Sequence, residues 1–155
     1  MNKPRIGLVG VGLMGHGIAL NIARKGYALA VLEHPGNQPL DELRALGVTS
    51  AATVQALARQ VQVLILCVTG SPQVEAVLLG EQGALAALQP GTVVIDCSTA
   101  IPASTESVAR AVAAAGGRFL DAPMTRTPKE AAEGRLNLLV GDAGPVPAEG
   151  TLLPE

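Results

Sequence analysis

Aromatic side chains are nearly missing from this chain, which has one Phe, one Tyr and no Trp among 155 residues. Without them there are no platforms on which bases stack. A formal net charge of −2, with no basic run, also leaves no electrostatic footprint for nucleic acid. Cysteine is scarce too. Cys67 and Cys97 each close an apolar run rather than forming a ligand-spaced pair, and His16 and His34 stand apart from them. Reduced thiols, a cytoplasmic location and no metal site are therefore expected. No apolar stretch approaches the ~18 residues of a membrane span, and the Met1–Arg5 segment lacks the apolar core of a signal peptide. Nor is there a G-x-x-x-x-G-K-[ST] loop of the kind that holds nucleoside triphosphates.

What remains is aliphatic. Hydrophobic residues make up 48% of the chain, rich in Ala, Val and Leu, enough for one domain with a sizeable core. Residues 5–9 read as a strand and 13–25 as a helix, with Met14, Ile18, Ile22 and Ala23 on one face and Gly26 as the stop. Further strands are expected at 28–32, 48–51, 62–68, 92–97, 118–122 and 136–140. Helices are expected around Leu40, Leu43 and Leu46, over 54–59 behind a Thr53 cap, over 71–79 with Ser71 as cap, over 103–115, and over 127–133. Ser104 is a candidate cap as good as Ser98 or Thr99 for the helix that follows them. Residues 62–68 are apolar at nearly every position, as in a strand buried on both faces. Strands alternating with helices predict an α/β fold, a doubly wound, mainly parallel sheet with helices on both faces. Residues 1–141 are expected to form that domain. The breakers Gly144, Pro145, Pro147 and Gly150 predict a poorly ordered tail over 142–155.

The first strand runs into Gly10-Val11-Gly12-Leu13-Met14-Gly15, the G-x-G-x-x-G spacing of a Rossmann-type dinucleotide site. Gly10 permits the tight turn, Gly12 lets backbone approach a pyrophosphate, and Gly15 lets helix and strand pack closely. The pyrophosphate would rest on free N–H groups at the helix N-terminus. Glu33 ends the second strand about 20 residues further on, where an acid reads the adenosine ribose. It favours NAD by repelling a 2′-phosphate, whereas a protonated His34 would tolerate one, so the cofactor is read as NAD or NADP with NAD preferred.

Three motifs in order resemble the β-hydroxyacid dehydrogenase family, which includes 3-hydroxyisobutyrate dehydrogenase, tartronate semialdehyde reductase and 6-phosphogluconate dehydrogenase. They are the G-x-G-x-M-G turn with Ala19-Leu20-Asn21 behind it, Asp96-Cys97-Ser98-Thr99 with Pro102, and Asp121-Ala122-Pro123-Met124 followed by Ala131 and Gly134. The resemblance covers roughly residues 5–141 and implies an oxidoreductase acting on a small β-hydroxy acid. It implies cofactor contacts from Gly10, Gly12, Leu13, Met14, Gly15, Glu33, His34, Val68, Thr69 and Thr99, and substrate contacts from Ser98, Thr125, Arg126 and Thr127.

Two departures from the family pattern stand out. Thr125-Arg126-Thr127 replaces the Ser-Gly-Gly whose hydroxyl and backbone N–H groups hold a substrate carboxylate, so Arg126 is expected to contact a carboxylate or a second acidic group. The family's catalytic lysine, on a G-x-x-x-K-x-x-x-N helix of a C-terminal all-helical domain, has no match in Lys3, Lys25 or Lys129. The expectation is a truncated chain without that domain, weakly active or inactive alone, with an exposed apolar face that favours a homo-oligomer or a complementing helical-domain chain. A stand-alone dinucleotide-binding module with a sensing or structural role is the alternative. A methyltransferase is disfavoured by the Asp-Ala-Pro and Ser-Thr segments.

Overall fold

The computed structural model describes residues 2–142. Six short strands lie parallel, in the order β3 (Thr49–Ala51), β2 (Leu29–Leu32), β1 (Ile6–Val9), β4 (Val63–Leu66), β5 (Val93–Asp96) and β6 (Arg118–Asp121). In chain order each strand connects to the next through a crossover, and all five crossovers that build the parallel sheet carry a helix. These are α1 (Leu13–Arg24), α2 (Asp41–Ala45), α3 (Val54–Ala58), α4 (Ser71–Leu79) with a 3₁₀ turn at Leu85–Ala87, and α5 (Pro102–Ala114). This is the doubly wound α/β architecture that the alternation predicts.

Strand alternation divides the apolar residues between the two faces. Ile6, Leu8, Leu29, Val31 and Val63 pack with Ala19 and Leu20 of α1 and Leu43 of α2. Val9, Leu64, Leu66, Val94 and Phe119 pack on the other side with Leu57, Leu78, Val108 and Val112 of α3, α4 and α5. Both layers are aliphatic, which suits strands buried on both faces. No described helix is long and apolar enough to cross a membrane.

The end of the fold differs from the expected pattern. The apolar run 136–140 does not join the main sheet as a strand. Its Asn137–Leu138 (β8) pairs antiparallel with Met124–Thr125 (β7) in a separate hairpin, and Leu138, Leu139 and Val140 are exposed. Between the two strands, α6 (Pro128–Ala132) packs against α1 and returns the chain beside β7. The seventh strand of the sheet is Gly141–Asp142 (β9), antiparallel to β6. The apolar run reads like a core strand, but the hairpin places it at the periphery. The tail expected to be poorly ordered lies, from residue 143 on, outside the described residues.

Two caps also differ. Thr53 caps α3 as expected, accepting from the Ala56 N–H at 3.1 Å. Ser71 does not cap α4; Gly70 precedes the helix, and the Ser71 Oγ accepts from the Ile101 N–H at 2.7 Å. Ser104 lies within the first turn of α5, behind Ile101 and Pro102, and its hydroxyl donates to Glu75 at 2.6 Å. Both hydroxyls link α4 to the segment leading into α5 and cap neither helix.

Candidate functional site

The strand order reverses between β1 and β4, and a crevice forms at such a point outside the carboxyl ends of the strands. A cleft of about 760 Å³ opens there. It runs from Leu32 and His34 past the glycine turn and the ends of β4 and β5 to Met124 and Arg126. No acidic residue lines it among the described residues, and Arg126 is its one Lys or Arg. A second cavity of about 330 Å³, bordered by Leu78, Glu81 and Ala115, touches none of the motif residues.

The glycine turn has the geometry its spacing predicts. Gly10 has a φ of 95°, and a Cβ on it would overlap the Cys67 carbonyl oxygen at 2.1 Å. A Cβ on Gly15 would overlap the Gly10 carbonyl oxygen at 1.8 Å. Both positions are closed to any side chain. Gly12 differs, because a Cβ there would meet nothing within 4 Å and would project into open space beside the cleft. Gly12 is also the N-cap of α1, which has no capping side chain and no acid in its first turn. The first N–H groups of the helix therefore lack intrahelical partners, at the positive end of its dipole. An open cradle in front of an uncapped helix N-terminus fits the pyrophosphate of a dinucleotide.

At the far end of the cleft, Glu33 and His34 follow β2. The Glu33 carboxylate is exposed, accepts from the Ser50 hydroxyl at 2.6 Å, and does not border the cleft. His34 does border it, and its Nδ1 accepts from the Gly36 N–H at 2.9 Å. Asn37 joins this loop to the glycine turn. Its Nδ2 donates to the Leu32 carbonyl at 2.9 Å, its Oδ1 accepts from the Val11 N–H at 3.4 Å, and the Gln38 N–H donates to the Val11 carbonyl at 2.7 Å. The Asn37 side chain acts on a residue 26 positions away, which no local pattern reveals.

The middle of the cleft is formed where β4 and β5 end. Val68 and Thr69 line it from one strand, Ser98 and Thr99 from the other. The Ser98 Oγ accepts from the Val68 N–H at 3.0 Å, and the Ser98 N–H donates to Asp96 Oδ1 at 2.9 Å. Ser98 thus braces the two strand ends.

Asp96 is fully buried, and its other oxygen, Oδ2, has no hydrogen-bond partner among the described residues. In register beside it stands Asp121. Burial raises the Asp96 carboxyl above its ordinary range, the hydrogen bonds with Ser98 oppose this, and the Asp121 charge adds to the rise. Burial also raises Asp121. Burial, helped by the Asp96 charge, pushes the Cys67 thiol up to about 11. The Cys97 thiol is pushed up to about 12 by burial first, then by Cys67, Asp96 and Asp121. Both cysteines border the cleft as neutral thiols at neutral pH.

The near end of the cleft carries the Thr125-Arg126-Thr127 segment. Thr125 lies in β7, is exposed and does not border the cleft. Thr127 caps α6, where its side chain and backbone form a capping box with Glu130, and it too stands outside the cleft. Only Arg126 of the three borders the cleft. Arg126 has a φ of 82° and is the one non-glycine residue with positive φ among those described. None of Lys3, Lys25 and Lys129 borders the cleft.

Comparison with known proteins agrees with this geometry. The family model described as the NAD binding domain of 6-phosphogluconate dehydrogenase matches residues 5–147. The chain is 36% identical to 2-hydroxy-3-oxopropionate reductase of Escherichia coli over 137 residues, 88% of this chain and 46% of the relative. Its fold superposes on a crystal structure of 3-hydroxyisobutyrate dehydrogenase from Salmonella typhimurium with a TM-score of 0.81 at 30% identity, covering 89% of this chain and 48% of that one. A solved structure named Psf3, in complex with NADP+ and 2-OPP, superposes with a TM-score of 0.78 at 29% identity, covering 87% of this chain and 48% of its own. The chain spans about half the length of these relatives.

Proposed function

The chain belongs to the family of NAD-binding domains of 6-phosphogluconate dehydrogenase, and on that premise we propose that it is the dinucleotide-binding part of an oxidoreductase acting on a small β-hydroxy acid. The observation that carries this reading is the open cradle at Gly12, set against the uncapped N-terminus of α1 at the reversal of the sheet. When bound, the dinucleotide accepts or supplies a hydride at its nicotinamide ring.

Gly10 and Gly15 shape the turn, and the N–H groups of Gly12, Leu13 and Met14 hold the pyrophosphate. His34 borders the end of the cleft where the adenosine ribose would lie. Glu33 beside it, outside the cleft and bonded to Ser50, would reach the ribose only by leaving that contact, its carboxylate then disfavouring a 2′-phosphate and so favouring NAD over NADP. Val68, Thr69 and Thr99 border the nicotinamide half. Ser98 and Arg126 hold the hydroxy acid, with Thr125 and Thr127 supporting the loop that carries Arg126. A general acid–base group typically contributes about 10²–10⁴-fold to such a transfer. Since no lysine of this chain borders the cleft, we assign that step to a complementing all-helical segment or chain.

The test is a titration of the chain with NADH and with NADPH, followed by the fluorescence of the reduced nicotinamide. One-to-one binding with NADH the tighter ligand is expected. Tighter NADPH would overturn the role given to Glu33, and no binding of either would overturn the proposal as a whole.

A further inference from the structure

The parallel strands share one direction, so every crossover returns the chain to the amino edge of the sheet, opposite the cleft. Four neighbouring strands, β3, β2, β1 and β4, are entered there through residues 44–48, 24–28, 2–5 and 59–62. Those segments hold six cations, Lys3, Arg5, Arg24, Lys25, Arg44 and Arg59, all exposed, and no Asp or Glu. Only Arg24 and Lys25 are adjacent in sequence, so it is the topology that gathers the rest. In a chain of net charge −2 this edge is a local excess of one sign, and such a field attracts a partner of the opposite sign.

The side chains of Arg5, Lys25, Arg44 and Arg59 make no hydrogen bond or ion pair among the described residues. Arg24 pairs with Glu42 at 3.1 Å. Lys3 donates to the Lys25 carbonyl and lies over the Tyr27 ring, 4.8 Å from its centroid. A helix dipole accounts for a cation at its C-terminus. It does not account for three around the end of α1, Lys3, Arg24 and Lys25, nor for Arg5, which belongs to no helix.

We infer that the amino edge is a docking surface for an acidic, extended segment of a partner protein. Adjacent strands lie about 4.8 Å apart, so four of them spread the cations over roughly 15 Å, the span of about five extended residues. The guanidinium forks of Arg5, Arg44 and Arg59 match carboxylates in bidentate fashion. Leu46, 43% exposed in the segment that follows α2, adds an apolar contact for a peptide side chain. A single-stranded nucleic acid would need rings on which to stack, and the one ring of this edge, Tyr27, is covered by the Lys3 ammonium. The docked segment leaves the cleft open.

The experiment is the anisotropy of fluorescein-labelled hexaglutamate titrated with the chain. Binding is expected at low ionic strength, weakening by about tenfold or more as the Debye length falls from about 30 Å to about 8 Å. Arg5→Glu, Arg44→Glu and Arg59→Glu combined should abolish it. The same three positions changed to Gln should weaken it by about tenfold, the loss of three exposed ion pairs. Circular dichroism shows that each variant is folded, and the Gln variant keeps the test decisive if charge reversal impairs folding. Arg126→Glu with Lys129→Glu, on the loop at the cleft, alters the net charge more than the Gln variant does and should leave binding unchanged. No binding by the wild type, binding that survives the charge reversal, or an equal loss from the Arg126 and Lys129 changes would overturn the proposal. So would an oligothymidylate of equal charge that binds more tightly, or phosphatidylserine vesicles that bind the chain and are not displaced by hexaglutamate.

Discussion

The Asn21 side chain donates from its Nδ2 to the Ala131 carbonyl at 2.8 Å, joining the middle of α1 to the end of α6, 110 residues later in the chain. The same amide reaches the Ala132 carbonyl at 3.1 Å and the Gly17 carbonyl at 2.9 Å. It thereby satisfies carbonyls left open at the C-terminus of a short helix. Gly17 makes the contact possible, since a Cβ there would stand 2.6 Å from the Ala131 carbonyl carbon. The helix behind the glycine turn and the loop that carries Arg126 are therefore held together.

This contact predicts a reversal of the usual helix rule. Replacing glycine by alanine inside a helix ordinarily gains about 1 kcal/mol. Gly17→Ala should instead destabilise by about 1–3 kcal/mol, the usual range for overpacking. Asn21→Ala should cost about 1–2 kcal/mol by leaving the α6 carbonyls unpaired. Urea unfolding measures both, and a stabilised Gly17→Ala would show that α6 does not rest on α1.

Burial and the neighbouring Asp121 raise the Asp96 carboxyl, which sets the sign of a pH effect. A carboxyl whose folded pKa is raised favours the folded state while neutral, below the unfolded value of about 3.9. That contribution is lost as pH rises through the folded value. Asp96→Asn keeps an acceptor for the Ser98 N–H and carries no charge. Its stability relative to the wild type should therefore increase from pH 4 toward pH 7, as measured by denaturant midpoints across that range. A difference that is flat or falls with pH would contradict the buried-charge account.

Arg126 also carries a cost in stability. Left-handed backbone at a non-glycine residue costs about 1–2 kcal/mol. Arg126→Gly should recover part of this, as a net gain of about 1 kcal/mol after the added freedom of glycine in the unfolded chain is subtracted. Thermal unfolding checks the sign. A less stable variant would mean that the guanidinium makes a structural contact in the free protein.

Much of this was legible in the chain itself, for reasons specific to each residue. β1 and the turn after it were readable because an apolar run, a glycine at positive φ and a helix start are all local. The need for glycine at positions 10 and 15 is legible because backbone overlap follows from the turn alone. The bracing by Ser98, the loop tie by Asn37 and the link from Ser71 to Ile101 were not readable, since each joins residues 26 or 30 positions apart. Residues 136–140 misled because an apolar run carries no information about which edge it will pair with. The resemblance placed Thr125, Arg126 and Thr127 in one loop, but only the fold shows that Arg126 alone turns to the cleft.

The most direct test of the dinucleotide site is NADH binding by Gly12→Asp. Gly12 has a negative φ and open space at its Cβ, so an aspartate fits there without strain, and aspartate is a favoured N-cap. The variant should fold at least as stably as the wild type while its carboxylate occupies the cradle and repels the pyrophosphate. NADH affinity is expected to fall by about tenfold or more, since one charge at a helix terminus and the loss of an anion site together exceed about 1.4 kcal/mol. A stable variant that binds NADH as tightly as the wild type would contradict the account.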